Sequence, residues 1–426
     1  MNARKAAYLS LMRCEKAGKY ANLEADAAIR KYELDEAEKA LFTQLVYGVI
    51  ERQITLDYII SLYTKNPDRK MPEPLRTILR LGLYQLLYLQ KIPEHAAVNE
   101  SVELAKTFYR GGAPFVNAVL RRAVREKGNI RFPVPAIEYG LPVPLYTLWA
   151  HQYGEETAFK LAQSTTRKPT LTLRVNTLKC TPQTLMEEIE CESAPTTLAP
   201  SGIRLLENMP VSYFAPLEDG LCFVQDEASQ YAVSIAGAKP GMTVIDACAC
   251  PGGKSFGFAL DMHNQGKILS LDLHTNKLSL IERGAKRLGI DIIETHAHDS
   301  IHLCGEWVSS ADLVLCDVPC SGFGIIAKKP DIRHKDLSSI ARLPEIQASI
   351  LNTCAQYVKP GGTLLYTTCT LNRAENEEIA ERFLQEHQEL FTPAPFDQGR
   401  WYKTLFPFES DTDGFFIAKF QKKQQA

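Results

Sequence analysis

The sequence predicts a chain of three parts: an all-helical N-terminal domain, a small α+β module, and a C-terminal α/β domain with a mostly parallel sheet. Apolar residues recur at helical spacing up to residue 130, four prolines interrupt residues 131–145, and short strands alternate with helices from residue 241 onward. A chain of 426 residues is also too long for one typical core. The predicted domains are 1–140, 141–235 and 236–426.

Two amphipathic runs predict the helical part. The first, for which Asp35 is the predicted N-cap, contains Leu41, Leu45, Val46 and Val49. The second contains Leu75, Ile78, Leu79, Leu86 and Leu87. Breaks are predicted at 66–68 and 110–114, where proline or glycine occurs. The prolines of 131–145 then predict a linker, after which Leu171–Val175 alternates like a strand and 181–189 reads as a helix.

Composition is that of an ordinary soluble chain, with 45% hydrophobic and 23% charged residues. No run of eighteen apolar residues predicts a membrane span, and the first residues lack an apolar signal region, so a cytoplasmic protein is expected. The sequence shows no interface that demands an oligomer, so a monomer is the default expectation. Eleven scattered cysteines include no Cys-x-x-Cys pair, which argues against a structural zinc site or a disulfide framework. Neither metal nor membrane is therefore expected as a partner.

The net charge of −2 hides an asymmetry between the two ends of the chain. Residues 1–140 contain 22 Lys and Arg against 16 Asp and Glu, a balance of +6, and the remainder carries −8. A basic first domain favours contact with RNA, although such differences also occur in proteins that bind no nucleic acid.

The C-terminal part predicts six strands, with helices at 254–263, 274–288, 343–358 and 373–386. The strands are predicted at Thr243–Ala247, Lys267–Asp272, Asp291–Thr295, Asp312–Asp317, Gly362–Thr367 and Gly414–Lys419. In sheets of this kind ligands bind beyond the carboxyl ends of the strands. Candidate functional residues are therefore expected where each strand ends.

The first strand is followed by a glycine loop, Cys248-Ala249-Cys250-Pro251-Gly252-Gly253-Lys254. Two glycines ahead of a helix let backbone N–H groups approach a ligand closely. A phosphate-binding P-loop is a rival interpretation, but that motif needs a glycine where Cys248 stands. A plain tight turn is the other alternative.

Acidic residues follow the next two strands. Asp272 ends the second strand, where a carboxylate typically accepts hydrogen bonds from ribose hydroxyls, although capping of the next helix explains it equally well. Asp299 follows the third strand and is a candidate for the adenine side of the same pocket, with an ordinary loop aspartate as the alternative.

Two cysteines are predicted at the ends of neighbouring strands. The fourth strand ends in Asp317-Val318-Pro319-Cys320, and the fifth ends in Thr367-Thr368-Cys369. A lone cysteine at such a position would usually be a packing residue, but two beside a nucleoside pocket favour catalysis. A thiolate that adds to carbon 6 of cytosine makes carbon 5 nucleophilic toward an electrophilic methyl group. Asp317 is placed to assist that addition at the base's ring nitrogen.

Together these residues resemble the RNA cytosine carbon-5 methyltransferases of the Sun (Nol–Nop–Sun) family, and within it the branch acting on bacterial small-subunit ribosomal RNA. The resemblance covers nearly the whole chain. It implies a NusB-like RNA-binding domain at the N-terminus and a Rossmann-like class I methyltransferase domain at the C-terminus. Its further motifs are Pro93–Glu100, Phe115–Arg121, Leu173–Thr177, Gln225–Ser229, Lys329–Asp331 and Asp413–Phe416.

The resemblance also implies a role for each candidate residue. Cys369 is expected to be the nucleophile, and Cys320 is expected to help release the methylated RNA. The loop from Cys248 to Lys254 is expected to bind the methionine end of S-adenosylmethionine. Asp272 would then hold the ribose, Asp299 the adenine side, and Asp317 would lie beside the methyl group and the target base. The expected substrate is an unpaired or flipped-out cytosine of small-subunit rRNA.

Four positions depart from the family pattern, all outside the two-cysteine centre. The family usually has alanine at Cys250, threonine at Ser255, asparagine at Gly284 and glycine at His298. These departures bear on affinity for the cofactor and not on the reaction type. Two alternative functions stay open from sequence: an RNA-binding protein resembling an antitermination factor, and a cytosine-C5 methyltransferase acting on transfer RNA.

Overall fold

The computed structural model describes residues 1–17, 21–64, 71–207 and 214–424. The chain forms two compact units. The first comprises Met1–Arg167 with Lys328–Lys335, and the second comprises Lys168–Ala327 with Asp336–Ala426. None of the described helices is long and apolar enough to cross a membrane.

The first unit is built from helices that enclose an apolar core containing Phe42, Leu45 and Leu56. Asp35 begins the third helix as predicted, because its side chain accepts a hydrogen bond from the backbone N–H of Glu38. The predicted break at 66–68 lies outside the described residues. The helices are α1 (Ala3–Ala17), α2 (Ala21–Tyr32), α3 (Glu36–Glu51), α4 (Gln53–Tyr63), α5 (Glu73–Tyr88), α6 (Glu94–Phe108), α7 (Ala113–Glu126), α8 (Pro135–Glu138), α9 (Val143–Tyr153) and α10 (Glu155–Ser164).

The prolines at 131–145 begin helices instead of forming a continuous linker. Pro135 and Pro144 lie in the first turns of α8 and α9. Proline is tolerated there because the first backbone N–H groups of a helix have no acceptor within the helix. The first compact unit therefore continues past the predicted domain boundary at residue 140, to Arg167.

Arg333 fixes the segment Lys328–Lys335 in the first unit. Its guanidinium is almost fully buried and donates to the main-chain carbonyls of Glu51, Tyr139 and Thr165 at 2.6, 3.2 and 3.2 Å. Burial lowers the pKa of Arg333 to about 10. A chain segment far away in sequence is thus held by hydrogen bonds to backbone oxygens.

The second unit begins with a four-stranded antiparallel sheet in the order β2-β3-β1-β4. The predicted strand and the predicted helix of this region are confirmed as β1 and α11. The short strands β2, β3 and β4 were not predicted. The elements are β1 (Leu171–Val175), α11 (Pro182–Glu188), β2 (Ser193–Pro195), β3 (Gly202–Leu205), α12 (Ala215–Glu218), β4 (Cys222–Val224) and α13 (Glu227–Ala236).

An eight-stranded sheet follows, in the order β10-β12-β9-β8-β5-β6-β7 with β11 paired to β12. All six predicted strands are present, displaced by a few residues at their ends. The strands are β5 (Thr243–Asp246), β6 (Lys267–Asp272), β7 (Ile293–Ala297), β8 (Ala311–Asp317), β9 (Val358–Thr368), β10 (Phe391–Pro393), β11 (Tyr402–Leu405) and β12 (Phe415–Lys422). The helices are α14 (Gly253–Asp261), α15 (Thr275–Leu288), α16 (Leu343–Ala355), α17 (Glu377–Glu386) and α18 (Pro407–Ser410).

The central strands of this sheet position the candidate residues. Strands β7, β6, β5, β8 and β9 are parallel, whereas β12 is antiparallel to β9. The strand order reverses at β5, which pairs with β6 on one side and β8 on the other. Ligands of open α/β sheets bind at such a reversal, beyond the carboxyl ends of the strands.

Candidate active site

The glycine loop lies at the carboxyl end of β5 and leads directly into α14. Gly252 has φ +107°, and a Cβ at this position would lie 2.6 Å from the ring of Phe256. Both the conformation and the close packing therefore require glycine. The loop from Cys248 to Lys254 thus presents the backbone N–H groups of a helix N-terminus at the ligand edge of the sheet.

A buried carboxyl lies beside this loop, on a residue that the sequence analysis did not single out. Asp246 is the last residue of β5, and its Oδ2 accepts a hydrogen bond of 2.7 Å from Ser255 Oγ. Ser270 Oγ lies 2.8 Å from Ser255 Oγ and donates to it. Burial raises the pKa of Asp246 to about 7 in spite of the bond from Ser255. Its position at a strand end, like that of Asp272 and Asp317, is the signal that could have identified it.

Asp272 and Asp299 lie near the ends of neighbouring strands. Asp272 pairs in register with Ala297, the last residue of β7, and Asp299 follows two residues later. Each carboxylate accepts a hydrogen bond from the backbone N–H two residues further on, at 2.9 Å for Asp272 and 3.1 Å for Asp299. Both side chains are partly exposed, so they have acceptor capacity left for a ligand.

Asp317 is held between two neighbours at the end of β8. Lys254 Nζ lies 2.6 Å from its Oδ2, and Thr367 Oγ1 donates to its Oδ1 at 2.7 Å. The same ammonium lies 5.3 Å from the centroid of the Phe415 ring. Burial alone would lower the pKa of Lys254, but the Asp317 carboxylate raises it above its ordinary value. Lys254 therefore belongs to the glycine loop in sequence, while its charge acts on Asp317 and on Cys369.

The two strand-end cysteines lie side by side. Cys320 follows β8 and Cys369 follows β9, and their Sγ atoms are 3.4 Å apart. Both are free thiols and both are partly exposed. A hydrogen bond from Cys320 lowers the pKa of Cys369, and Lys254 lowers it further, against burial and the charge of Asp317. The pKa of Cys320 is raised well above its ordinary value by the same hydrogen bond, by burial and by Glu375.

Besides Ser255, the other three positions that depart from the family pattern also have identifiable contacts. Cys250 Sγ lies 3.4 Å from the backbone oxygen of Lys277. A Cβ at Gly284 would lie 2.4 Å from the Phe256 ring, so the absence of a side chain leaves room for that ring. His298 packs edge-to-face on Trp307 at 4.9 Å between centroids.

Three family models match successive parts of the chain. The NusB family matches residues 1–125, a ferredoxin-like domain of RsmF/B-like methyltransferases matches 141–212, and the 16S rRNA methyltransferase RsmB/F model matches 234–421. A relative from Bacillus subtilis, the probable ribosomal RNA small subunit methyltransferase B, is 38% identical and covers 99% of both chains. The chain belongs to the RsmB/F family of 16S rRNA methyltransferases.

Other members of the RsmB/F family and one solved structure agree with this result. The probable ribosomal RNA small subunit methyltransferase B of Synechocystis is 35% identical over 99% of this chain and 100% of its own. The crystal structure of PH0851 is 25% identical, covers 99% of both chains and has a TM-score of 0.80. The resemblance and the fold class predicted from sequence are confirmed: a NusB-like helical domain, an α+β module and an α/β methyltransferase domain. The division at residues 140 and 235 stays a prediction.

Proposed function

We propose that this protein transfers a methyl group from S-adenosylmethionine to carbon 5 of a cytosine in small-subunit rRNA. The observation that carries the proposal is the pair of thiols at 3.4 Å, with a lysine and a carboxylate beside them, at the ligand edge of a methyltransferase domain. Relatives that match over the full length are named ribosomal RNA small subunit methyltransferases. The small-subunit RNA is therefore the proposed substrate.

The residues around the glycine loop fit S-adenosylmethionine. The loop from Cys248 to Lys254 provides backbone N–H groups at the N-terminus of α14 for the methionine carboxylate. Asp272 provides acceptors for the ribose hydroxyls, and Asp299 lies on the adenine side. When bound, S-adenosylmethionine supplies an electrophilic methyl group.

Cys369 is the proposed nucleophile. Its thiolate adds to carbon 6 of the cytosine, so that a C–S bond forms and the electrons of the 5,6 double bond become available at carbon 5. Asp317 passes a proton from its partner Lys254, 2.6 Å away, to the ring nitrogen, which neutralises the negative charge that the addition places on the ring, and takes the proton back on release. After methylation a base takes the carbon 5 proton, the double bond re-forms, and the C–S bond breaks to return the thiolate.

Charge distinguishes the two cysteines. The pKa of Cys369 is lowered first by the thiol hydrogen bond from Cys320 and also by Lys254, whereas the Glu375 carboxylate adds to the raised pKa of Cys320. Cys369 is thus the better thiolate and Cys320 the better proton donor to it. This supports attack by Cys369 and assistance of product release by Cys320.

The direct test is transfer of a radiolabelled methyl group from S-adenosylmethionine to unmodified RNA. Protein-free small-subunit rRNA, assembled small subunits and transfer RNA are offered side by side, with the Cys369→Ala variant as the control for background label. We expect label in the small-subunit RNA, recovered as 5-methylcytidine. Label in transfer RNA alone would contradict the substrate, and the absence of label from all three samples would contradict the reaction.

A further inference from the structure

A buried carboxylate lies near the cysteines and is not itself a reacting group in the chemistry proposed above. Glu375 is fully buried and belongs to the short segment between Cys369 and α17. A buried charge is costly unless hydrogen bonds compensate it. The groups that donate hydrogen bonds to Glu375 therefore indicate its role.

Four donors surround this carboxylate. Oε1 accepts from Ser321 Oγ at 2.6 Å and from Asn372 Nδ2 at 2.9 Å, and Oε2 accepts from Ser321 N and from Gln347 Nε2, both at 2.9 Å. All four donors are uncharged. Three of them are N–H groups, which can only donate, so the arrangement is built for an acceptor with a negative charge.

The hydrogen bonds hold the main chain on both sides of Cys320. Ser321, which follows Cys320, donates its backbone N–H to Glu375. Pro319, which precedes Cys320, accepts 2.9 Å from the same Gln347 amide that binds Glu375. The Ser321 hydroxyl also lies 2.5 Å from Thr370 Oγ1, directly after Cys369. One carboxylate therefore ties the loop of Cys320 to the segment that carries Cys369.

We propose that Glu375 is a positioning residue that holds Cys320 against Cys369 and keeps Cys320 uncharged. Two thiolates at 3.4 Å would repel each other, so only one of the pair can carry the charge while the other donates a hydrogen bond. The Glu375 carboxylate accepts from the backbone N–H next to Cys320 and disfavours a thiolate there, whereas the Lys254 ammonium favours a thiolate at Cys369, so the charge is directed to Cys369. The inference rests on the proposed function, in which Cys369 attacks.

The test uses the full-length protein without RNA or cofactor, so it does not depend on methyl transfer. Neutral iodoacetamide is applied over a range of pH, and alkylation of each cysteine is followed by peptide mass spectrometry. In the unmodified protein Cys369 is expected to react at lower pH than Cys320. Glu375→Gln keeps the size of the side chain, removes the charge and replaces one acceptor oxygen with an amide that donates. In this variant Cys320 alkylation at a fixed pH is expected to rise about tenfold, the change that one pKa unit gives.

The matched control is Glu377→Gln. Glu377 is a buried carboxylate two residues further on, and its hydrogen bond is to Thr404 Oγ1 at 2.8 Å instead of the cysteine loops. This variant should leave the alkylation pattern unchanged. If Glu375→Gln melts like the unmodified protein and Cys320 stays as unreactive as before, the inference is overturned. If Cys320 reacts before Cys369 in the unmodified protein, the proposed assignment of the nucleophile fails instead.

A second variant keeps the test decisive if Glu375→Gln does not fold. Gln347→Leu removes a donor and the tie to Pro319 but leaves the carboxylate charged. With one donor fewer the negative charge is less neutralised, so Cys320 should stay at least as unreactive as in the unmodified protein. An increase in Cys320 alkylation in Gln347→Leu would show that access controls its reactivity and not the charge of Glu375, and would contradict the inference.

Discussion

Strand β8 and the loop that follows it each contribute one cysteine to a pair of neighbouring cysteines, and the two pairs differ in burial and in pKa. Cys316 lies within the strand and is fully buried, in the same apolar cluster as Cys354 of α16. Cys320 lies four residues further on, beyond the end of the strand, and contacts Cys369. The first pair is covered by apolar side chains, whereas the second is partly exposed beside Lys254.

The comparison shows that a neighbouring thiol is not sufficient to activate a cysteine. Burial raises the pKa of Cys316 well above its ordinary value, and the nearby thiol of Cys354 raises it further. The pKa of Cys369 is lowered because a thiol donates to it and an ammonium is close. The chemical difference therefore comes from charge and access at the strand end, which the strand interior cannot provide.

The largest expected effect separates the two pairs directly. Cys369→Ala should abolish methyl transfer, a loss of at least about a thousandfold, because no thiolate is left to add to carbon 6. Cys354→Ala, in the buried pair, should keep activity within about twofold of the unmodified protein at a temperature where it is folded. Radiolabel transfer to small-subunit rRNA measures both. Comparable losses in the two folded variants would show that the exposed pair has no special role.

Cys320→Ala should cause a different loss from Cys369→Ala. Attack by Cys369 survives in this variant while release fails, so the protein should stay covalently attached to RNA after methylation. Denaturing gel electrophoresis with labelled RNA detects this complex as a slowly migrating band. Attachment in the Cys369 variant instead would reverse the roles of the two cysteines.

Much of this site follows from sequence because strand and helix alternation determines where strands end. That alternation predicts neighbouring strand-end positions for Cys320 and Cys369, and the structure places their sulfur atoms in contact. It also places the glycine loop at a strand end, where two glycines ahead of a helix let backbone N–H groups approach a ligand.

Side-chain direction and isolated polar residues could not be predicted in the same way. The resemblance places Lys254 in the cofactor loop, but its ammonium pairs with Asp317. That contact depends on how β5, which precedes the loop, lies beside β8, which Asp317 ends. Glu375 stands in a short polar segment without periodicity, and its partner Gln347 is 28 residues away. Pairing of β2, β3 and β4 was missed because strands of three or four residues carry little alternation.

Lys254→Met should sharpen the comparison by making the exposed pair more like the buried one. Removal of the ammonium raises the pKa of Cys369, so activity near neutral pH should fall about 10- to 100-fold and the acidic limb of the pH–rate profile should move to higher pH. Lys359→Met is the matched control. Lys359 pairs with Asp312 at 2.8 Å near the starts of β9 and β8, at the opposite ends of these strands from the two cysteines. An unshifted acidic limb in Lys254→Met would rule out the electrostatic role of this lysine.

The smallest expected effect is on stability, and it concerns a buried carboxyl group that has no role in the proposed chemistry. The pKa of Asp246 is raised by burial to about 7 from an ordinary 3.8, so folding favours its protonated form. That contribution to stability is complete below about pH 4 and is lost as the pH rises through about 7. Asp246→Asn keeps a neutral group at every pH. The difference between its midpoint of thermal unfolding and that of the unmodified protein should therefore increase by about 5 °C or more from pH 5 to pH 8.

Asp312→Asn provides a control of opposite sign for this measurement. Although burial opposes the shift, the hydrogen bond from Lys359 lowers the pKa of Asp312, so its contribution is present at neutral pH and is lost as the pH falls through its lowered pKa. Asp312→Asn should therefore lower the midpoint at pH 8, while Asp246→Asn raises it. If the midpoint of Asp246→Asn follows that of the unmodified protein across this range, Asp246 is ionised in the folded protein. The glycine loop would then lie over a negative charge.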